Sequence, residues 1–182
     1  MTPAAPTRVA ATGRRSHDHQ HEPGVTTSVA TPLLDGLVAF LRDDGWPVHL
    51  PDSSIPTVET RCASATAEWT CQGRTFEPQG QVVFDSTLPV EVSEAMAGGI
   101  ALLLTCVNWG LHTGSFALGT ATGAVRLRTS LVVTGETPLL GPAAAKALVY
   151  PNVLIVDRCL EPLQEVAGGR LGIEDALERM AL

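Results

Sequence analysis

Several features are missing from this 182-residue sequence, and each absence excludes a class of function. No apolar run approaches the roughly 20 residues that a membrane-spanning helix requires, so we expect a soluble protein without a membrane partner. Excess positive charge is also missing, because the formal net charge is −7. Three arginines and two acidic residues leave segment 1–27 at +1, so the remainder carries −8. A chain of this charge repels phosphate backbones, and we predict no nucleic-acid partner.

The four cysteines have no CxxC spacing, which argues against a metal-binding or redox motif. Cys106 and Cys159 lie in apolar helical segments, where a thiol behaves as a small hydrophobic group. We therefore expect free, buried thiols in a reducing cytoplasm. Cys62 and Cys71 would face each other if their two strands pair in a hairpin, and a disulfide between them is the alternative.

No set of residues with the spacing of a catalytic site is recognisable. Ser86 and Ser115 do not lie in a GxSxG turn, and Asp85 and Asp157 are isolated carboxylates. We predict no enzymatic activity and no cofactor. Asn108 stands at the end of an apolar helical segment, and we expect its side chain to satisfy backbone groups there.

Segment 1–27 is rich in Ala, Thr, Pro and Gly and has few large apolar residues to repay the entropy of folding. We predict a disordered tail over 1–27 and one folded domain over 28–182. His17, His19 and His21 alternate in this tail and are weak candidates for metal ligands, because ordering a flexible segment cancels much of the binding energy. No apolar segment follows Arg14-Arg15, so an export signal is not predicted and the expected location is the cytoplasm.

The hydrophobic periodicity beyond the tail predicts an α+β fold. Two layers are expected, with an antiparallel sheet of about five strands packed against helices in the order α-β-β-β-α-β-β-α(-α). The predicted helices cover 29–45, 93–110, 142–166 and 172–182, and the strands cover 57–63, 65–71, 79–85, a segment from 116 and 125–133. Pro151 should divide or kink the third helix.

The central helix, 93–110, is apolar on every side. Ile100, Leu103 and Val107 recur at helical spacing, and the opposite face has Ala101 and Thr105 where a surface helix would have charges. A helix of this composition is predicted to be buried all round.

The order and spacing of these elements resemble the YbjN-like family, whose fold is that of the type III secretion chaperones. The resemblance covers roughly residues 33–166 and rests on Gly45-Trp46, QVVFDSTLP at 81–89, Asn108, Gly114-Ser115-Phe116 and the GAVRL motif at 123–127. It implies a chaperone-like domain that often forms dimers, with a link to sensory transduction or stress regulation and no agreed catalytic activity.

Our first hypothesis is a non-catalytic protein-interaction module, a chaperone-like adaptor or regulator with a protein partner of unknown identity. The alternative is a small-molecule sensor or an enzyme with a pocket between sheet and helices, where Asn108 and His112 would contact the ligand. A third hypothesis is a metal-carrying protein that uses the histidines of the tail.

The C-terminal helix has more apolar positions than one stripe over a sheet requires, since Leu154 and Ile155 point away from Val153 by about 100° per residue. Apolar surface left uncovered usually contacts another protein. We predict a homodimer through this helix and the neighbouring sheet edge, with interface residues Val153, Leu154, Ile155 and Leu160.

Overall fold

The computed structural model describes residues 30–64, 67–135 and 138–180. It confirms the α+β fold, with one five-stranded antiparallel sheet and the predicted order of elements. The predicted tail, 1–27, lies outside the described residues. The helices are α1 (Pro32–Asp43), α2 (Glu94–Gly110), α3 (Pro142–Ala167) and α4 (Ile173–Met180), and the strands are β1 (Thr57–Ala63), β2 (Glu68–Phe76), β3 (Gln81–Leu88), β4 (Ser115–Leu118) and β5 (Val125–Val132).

The strand order across the sheet is β1-β2-β3-β5-β4, so the short strand β4 forms one edge and β1 the other. Strand β5 pairs with both β3 and β4, and Leu127 lies opposite Ser86 on one side and Phe116 on the other. Helix α2 connects β3 to β4 and therefore crosses to the β4 edge of the sheet.

Period-two alternation places one face of the sheet in the core, as predicted. Helix α1 packs over β1 and β2, α3 over β3 and β5, and α2 over β4. The centre of this core is apolar and includes Leu37, Phe84, Leu103, Leu127 and Leu163, all with 0% exposure. Among the described helices, none covers the opposite face of the sheet.

Helix α1 begins with a capping contact from a distant residue. Thr31 stands at the N-cap position, but its side chain makes no capping hydrogen bond. The carboxylate of Glu77 accepts hydrogen bonds from the backbone N–H groups of Leu33 (3.2 Å) and Leu34 (3.1 Å) instead. A carboxylate at a helix N-terminus satisfies free N–H groups and complements the helix dipole, so this contact fixes α1 to the end of β2.

Helix α3 is one helix that runs through Pro151 and Pro162, so of the two outcomes expected at Pro151, a division or a kink, the division is not observed. A proline inside a helix removes one backbone hydrogen bond. The Thr129 hydroxyl of β5 donates to the carbonyl oxygen of Leu148 at 2.9 Å, one turn before Pro151. The sheet thus provides a hydrogen bond near the point where the helix loses one of its own.

Asn152, which follows Pro151, fixes α3 to the middle of the sheet. Its side chain has 0% exposure, and its Nδ2 donates to the carbonyl oxygens of Phe84 in β3 (3.1 Å) and Leu127 in β5 (3.2 Å). Its Oδ1 accepts a hydrogen bond from the Ser86 hydroxyl at 2.6 Å. A buried amide is tolerated only when its groups are paired, and here both ends are paired.

Ser86 extends this buried network into β2. Its oxygen accepts a hydrogen bond from the indole N–H of Trp69 (3.2 Å) and lies 3.1 Å from the sulfur of Cys71. Because the hydroxyl proton is directed to Asn152, the Cys71 thiol is the donor in that second contact. The network therefore joins β2, β3, β5 and α3 through side chains that are all buried.

Asn152→Ala should lower the free energy of unfolding by about 2–4 kcal/mol, because Ser86 and two sheet carbonyls lose partners in a dry core. Urea unfolding followed by circular dichroism measures this change. The control is Asp157→Ala, an exposed position on the same helix, where we expect a change below about 0.5 kcal/mol. Equal effects at the two positions would contradict a structural role for the network.

Candidate functional site

The outward face of α2 is the largest departure from the sequence prediction. The helix is not buried all round: Ile100, Leu103, Leu104 and Val107 face the core, whereas the opposite side is open. Trp109 is 94% exposed and Leu102 is 55% exposed. The other exposed members of this α2 face are Gly98, Ala101, Thr105 and Cys106.

The α2 face has no charged side chain between Glu94 and the end of the helix. Surface helices normally carry charges on the side that faces water. The face also includes Cys106, so the expectation that this thiol is buried is wrong. A charge-free face with an indole fully in solvent is typical of a protein contact surface.

The face stays open because the edge of the sheet is too short to cover the helix. Four residues of β4 span about 13 Å, whereas 17 residues of α2 span about 25 Å. Helices α3 and α4 complete the inner contacts of α2, and Ile173 of α4 approaches the backbone at Gly99. No other described element packs on the outward side.

Gly98 is not explained by packing within the chain. A methyl group added at this position would meet no atom within 4 Å. Glycine in a helix interior costs about 1 kcal/mol relative to alanine, so a glycine without a close internal neighbour is unfavourable for the isolated domain. Its effect on the surface is a notch in the α2 face, one helical turn before Leu102.

Asn108 occupies the free edge of β4. Its amide donates to the carbonyl oxygen of Phe116 (3.0 Å) and accepts from the N–H of the same residue (2.7 Å). Asn108 therefore satisfies backbone groups of the edge strand, whereas the sequence led us to expect backbone groups at the end of its own helix. An edge strand with unpaired groups can pair with another chain, and Asn108 occupies the position that such a strand would take.

The other edge of the sheet is also partly closed. His49 forms an antiparallel bridge with Glu59 of β1, with N···O distances of 2.9 and 2.8 Å. Pro47, two residues earlier, has no N–H and cannot continue this ladder. A groove of about 310 Å³ lies where the two segments separate, lined by Pro47, Val48, His49, Glu59, Thr60, Arg61 and Thr70.

The predicted interface residues of α3 do not share one surface. Leu160 has 1% exposure and Ile155 has 9%, so both belong to the core. Leu154 is 63% exposed, and Val153 is partly buried. Leu154 is thus the one exposed residue of this set, and the larger open apolar surface lies on α2.

The face of the sheet without helices is polar. Asp85, with 4% exposure, accepts hydrogen bonds from Arg128 Nε (2.8 Å) and Nη2 (2.9 Å) and pairs with Arg74. Gln72 donates to Glu59 on the same face at 2.8 Å. Burial of the Asp85 carboxylate opposes its charge, but hydrogen bonds and charge from Arg128 and then Arg74 outweigh burial and lower its pKa.

His112, which the alternative hypothesis places against a ligand, has no second histidine near it among the residues that the structure describes. His49 and His112 are exposed and far apart in the sheet order, and the described ranges hold no cluster of three or more His, Cys, Asp or Glu side chains fit for a metal. His17, His19 and His21 lie outside those ranges. Neither Asn108 nor His112 lines any of the five most pronounced depressions in the described part of the chain, which have volumes of about 310–460 Å³.

Comparison of the chain with protein-family models, with characterised proteins and with solved structures found no match in any of the three. The likeness to the YbjN-like family therefore stays a prediction. Among the helices that the structure describes, none is both long enough and apolar enough to cross a membrane.

The ion pairs of Asp85 with Arg128 and Arg74 predict that the folded protein is less stable at acid pH. Because the folded-state pKa lies below the ordinary value of 3.8, the ionised carboxylate contributes stability above that pH and loses the contribution as the pH falls through the folded-state pKa. Asp85→Asn should cost roughly 2 kcal/mol at pH 7 and progressively less below about pH 4. Urea unfolding at pH 7, 5, 4 and 3 measures the difference. A constant difference across this range would contradict the assignment.

Proposed function

We propose that this protein is a non-catalytic protein-interaction module, an adaptor or regulator that forms a homodimer through the α2 face. The observation that carries the proposal is the charge-free outward side of α2, with Trp109 94% exposed. The dimer that we predicted from the sequence is retained, and its proposed position moves from α3 to α2.

The spacing of the α2 face suits a second helix. Gly98, Leu102, Thr105 and Trp109 are separated by four, three and four residues. This is the spacing of the a and d positions at which two helices pack along a common seam. The seam would extend over about three turns of α2.

The size of the side chains favours an antiparallel, two-fold pairing of α2 with itself. If the axis passes midway between Leu102 and Thr105, each Leu102 lies opposite Thr105 of the second copy, and each Trp109 lies opposite Gly98 of the second copy. A large residue then faces a small one at every level, and the notch at Gly98 receives an indole. Such self-complementarity is the requirement of an isologous interface.

The available area is consistent with a moderate affinity. A stable interface buries at least about 1,200 Å² in total, or about 600 Å² on each copy. An exposed tryptophan supplies on the order of 200 Å², and Leu102, Thr105, Cys106 and the small residues between them supply part of the remainder. We therefore expect a dissociation constant in the micromolar range.

Other surfaces and occupants fit less well. Asn108 and the His49 bridge close parts of both sheet edges, which disfavours pairing through an added strand. Segment 1–27 has few large apolar side chains and is a poor match for an apolar helix face. A second copy supplies the required chemistry, since it presents the same indole and the same notch.

Trp109→Glu should abolish the dimer, because it removes the largest apolar side chain of the seam and places a carboxylate opposite Gly98 of the second copy. Sedimentation velocity at 1–100 µM chain, an interval chosen around the expected dissociation constant, measures the mass. We expect two chains for the unaltered protein and one for the variant. The matched control is Leu154→Glu, an equally drastic change at a 63% exposed leucine of α3, which should remain dimeric.

A converse pattern would contradict the proposal. If Leu154→Glu dissociates the protein and Trp109→Glu does not, the seam lies on α3. If the unaltered protein has the mass of one chain throughout this interval, the α2 face belongs to a different partner.

Gly98→Leu tests the notch by size, without adding charge. In the single chain a Cβ at position 98 meets no atom within 4 Å. Because leucine also favours the helix more than glycine does, the free energy of unfolding of the monomer should rise by up to about 1 kcal/mol. In the dimer the side chain occupies the site of the second copy's indole, and the dissociation constant should rise at least tenfold. Sedimentation and urea unfolding measure the two effects. A tighter dimer would exclude the proposed register.

A further inference from the structure

Cys62 and Cys71 lie side by side in the core, on neighbouring antiparallel strands. Their sulfur atoms are 3.2 Å apart. Cys62 lies opposite Trp69 in the register of β1 and β2, and Cys71 lies opposite Thr60, so the cysteines form a diagonal pair on the inner face. A disulfide has a sulfur–sulfur distance of about 2.05 Å, and an approach of about 1 Å would form it.

The hydrogen bonds around the pair distinguish the two sulfurs. Because the Ser86 proton goes to Asn152, the Cys71 thiol donates to Ser86 and the Cys62 thiol donates to Cys71. The contact between the sulfurs is the main cause of opposite shifts, since it raises the pKa of Cys62 and lowers that of Cys71. Cys71 is thus the sulfur that ionises first, with a protonated thiol already in contact.

We propose that Cys62 and Cys71 form an oxidation site, in which a small hydroperoxide converts the two thiols to a reversible disulfide between β1 and β2. The Cys71 thiolate attacks one oxygen of hydrogen peroxide, the O–O bond breaks and hydroxide leaves, which yields a sulfenic acid. The Cys62 sulfur then attacks Cys71, the S–O bond breaks, and water leaves with the Cys62 proton. Two thiols and one peroxide give one disulfide and two waters.

The position of the pair indicates how the oxidant enters. Cys71 has 0% exposure and Cys62 has 6%, but Cys62 is the penultimate residue of the edge strand β1. Fraying of the end of an edge strand admits a molecule as small as hydrogen peroxide. The reaction should therefore be slower than oxidation of the exposed Cys106.

The disulfide would stabilise the edge of the sheet. It closes a short loop from residue 62 to residue 71 and restricts the unfolded chain. For a domain of this size we expect the melting temperature to rise by roughly 5–10 °C. Strand β1, which carries the His49 bridge, would then be covalently held to β2.

The test uses the full chain with Cys106→Ser, so that the exposed thiol cannot react. The folded protein is treated with hydrogen peroxide, remaining thiols are alkylated, and the chain is digested with trypsin. Cleavage after Arg61 and Arg74 places both cysteines in one peptide, 62–74. We expect this peptide to lack two hydrogens and to carry no alkyl group, and dithiothreitol should restore both thiols and the lower melting temperature.

Two comparisons make the outcome decisive. In a Cys62→Ser, Cys106→Ser chain, peptide 62–74 should show oxygen added at Cys71 and no bridge. The proposal is overturned if the folded chain retains both thiols, or gains oxygen without bridging, under conditions that bridge the urea-unfolded chain. Cys159, buried without another cysteine in contact, should remain reduced in the folded chain.

Discussion

The short length of the edge strand β4 is the constraint on which the exposed face of α2 depends. Helices α1 and α3 each lie over two strands, whereas α2 lies over a four-residue edge strand and against α3 and α4. The inner side of α2 is well covered, and its outer side has no neighbour among the described elements. An apolar helix left half open in this way is the physical origin of the proposed seam, because the free energy of burying Leu102 and Trp109 is available only from outside the described fold.

Most of the fold follows from periodicity in the sequence. The alternation of Val125, Leu127 and Thr129 with Arg126 and Arg128 predicts the strand and its inner face correctly, and β1 has the predicted bounds. The exposure of α2 was not predictable in this way, because a buried helix and a helix with an open contact face have the same composition. The two kinds of helix are distinguished by the length of β4, the strand that lies under the helix. That length depends on how many residues follow Gly114 before the chain turns back.

Contacts between residues distant in the chain set a second limit on prediction. Glu77 caps α1 from more than 40 residues away, and no local pattern indicates that pairing. Asn152 offered a signal, since it lies three residues after Val149 and four before Val156 on the core stripe of α3. A polar residue on such a stripe predicts a buried partner, which the structure identifies as Ser86 and two sheet carbonyls.

The proposed seam is tested most directly by cross-linking through Cys106, the one exposed cysteine of the four. In the two-fold pairing, Cys106 lies opposite Ala101 of the second copy, and the two Cys106 Cα atoms should be roughly 10–13 Å apart. A bismaleimide of that span, added to the unaltered protein at a concentration above the expected dissociation constant, should join two chains through Cys106 in high yield. If Cys106 reacts fully with a monofunctional maleimide while the bismaleimide leaves the chains unjoined, the α2 faces do not meet and the account is contradicted.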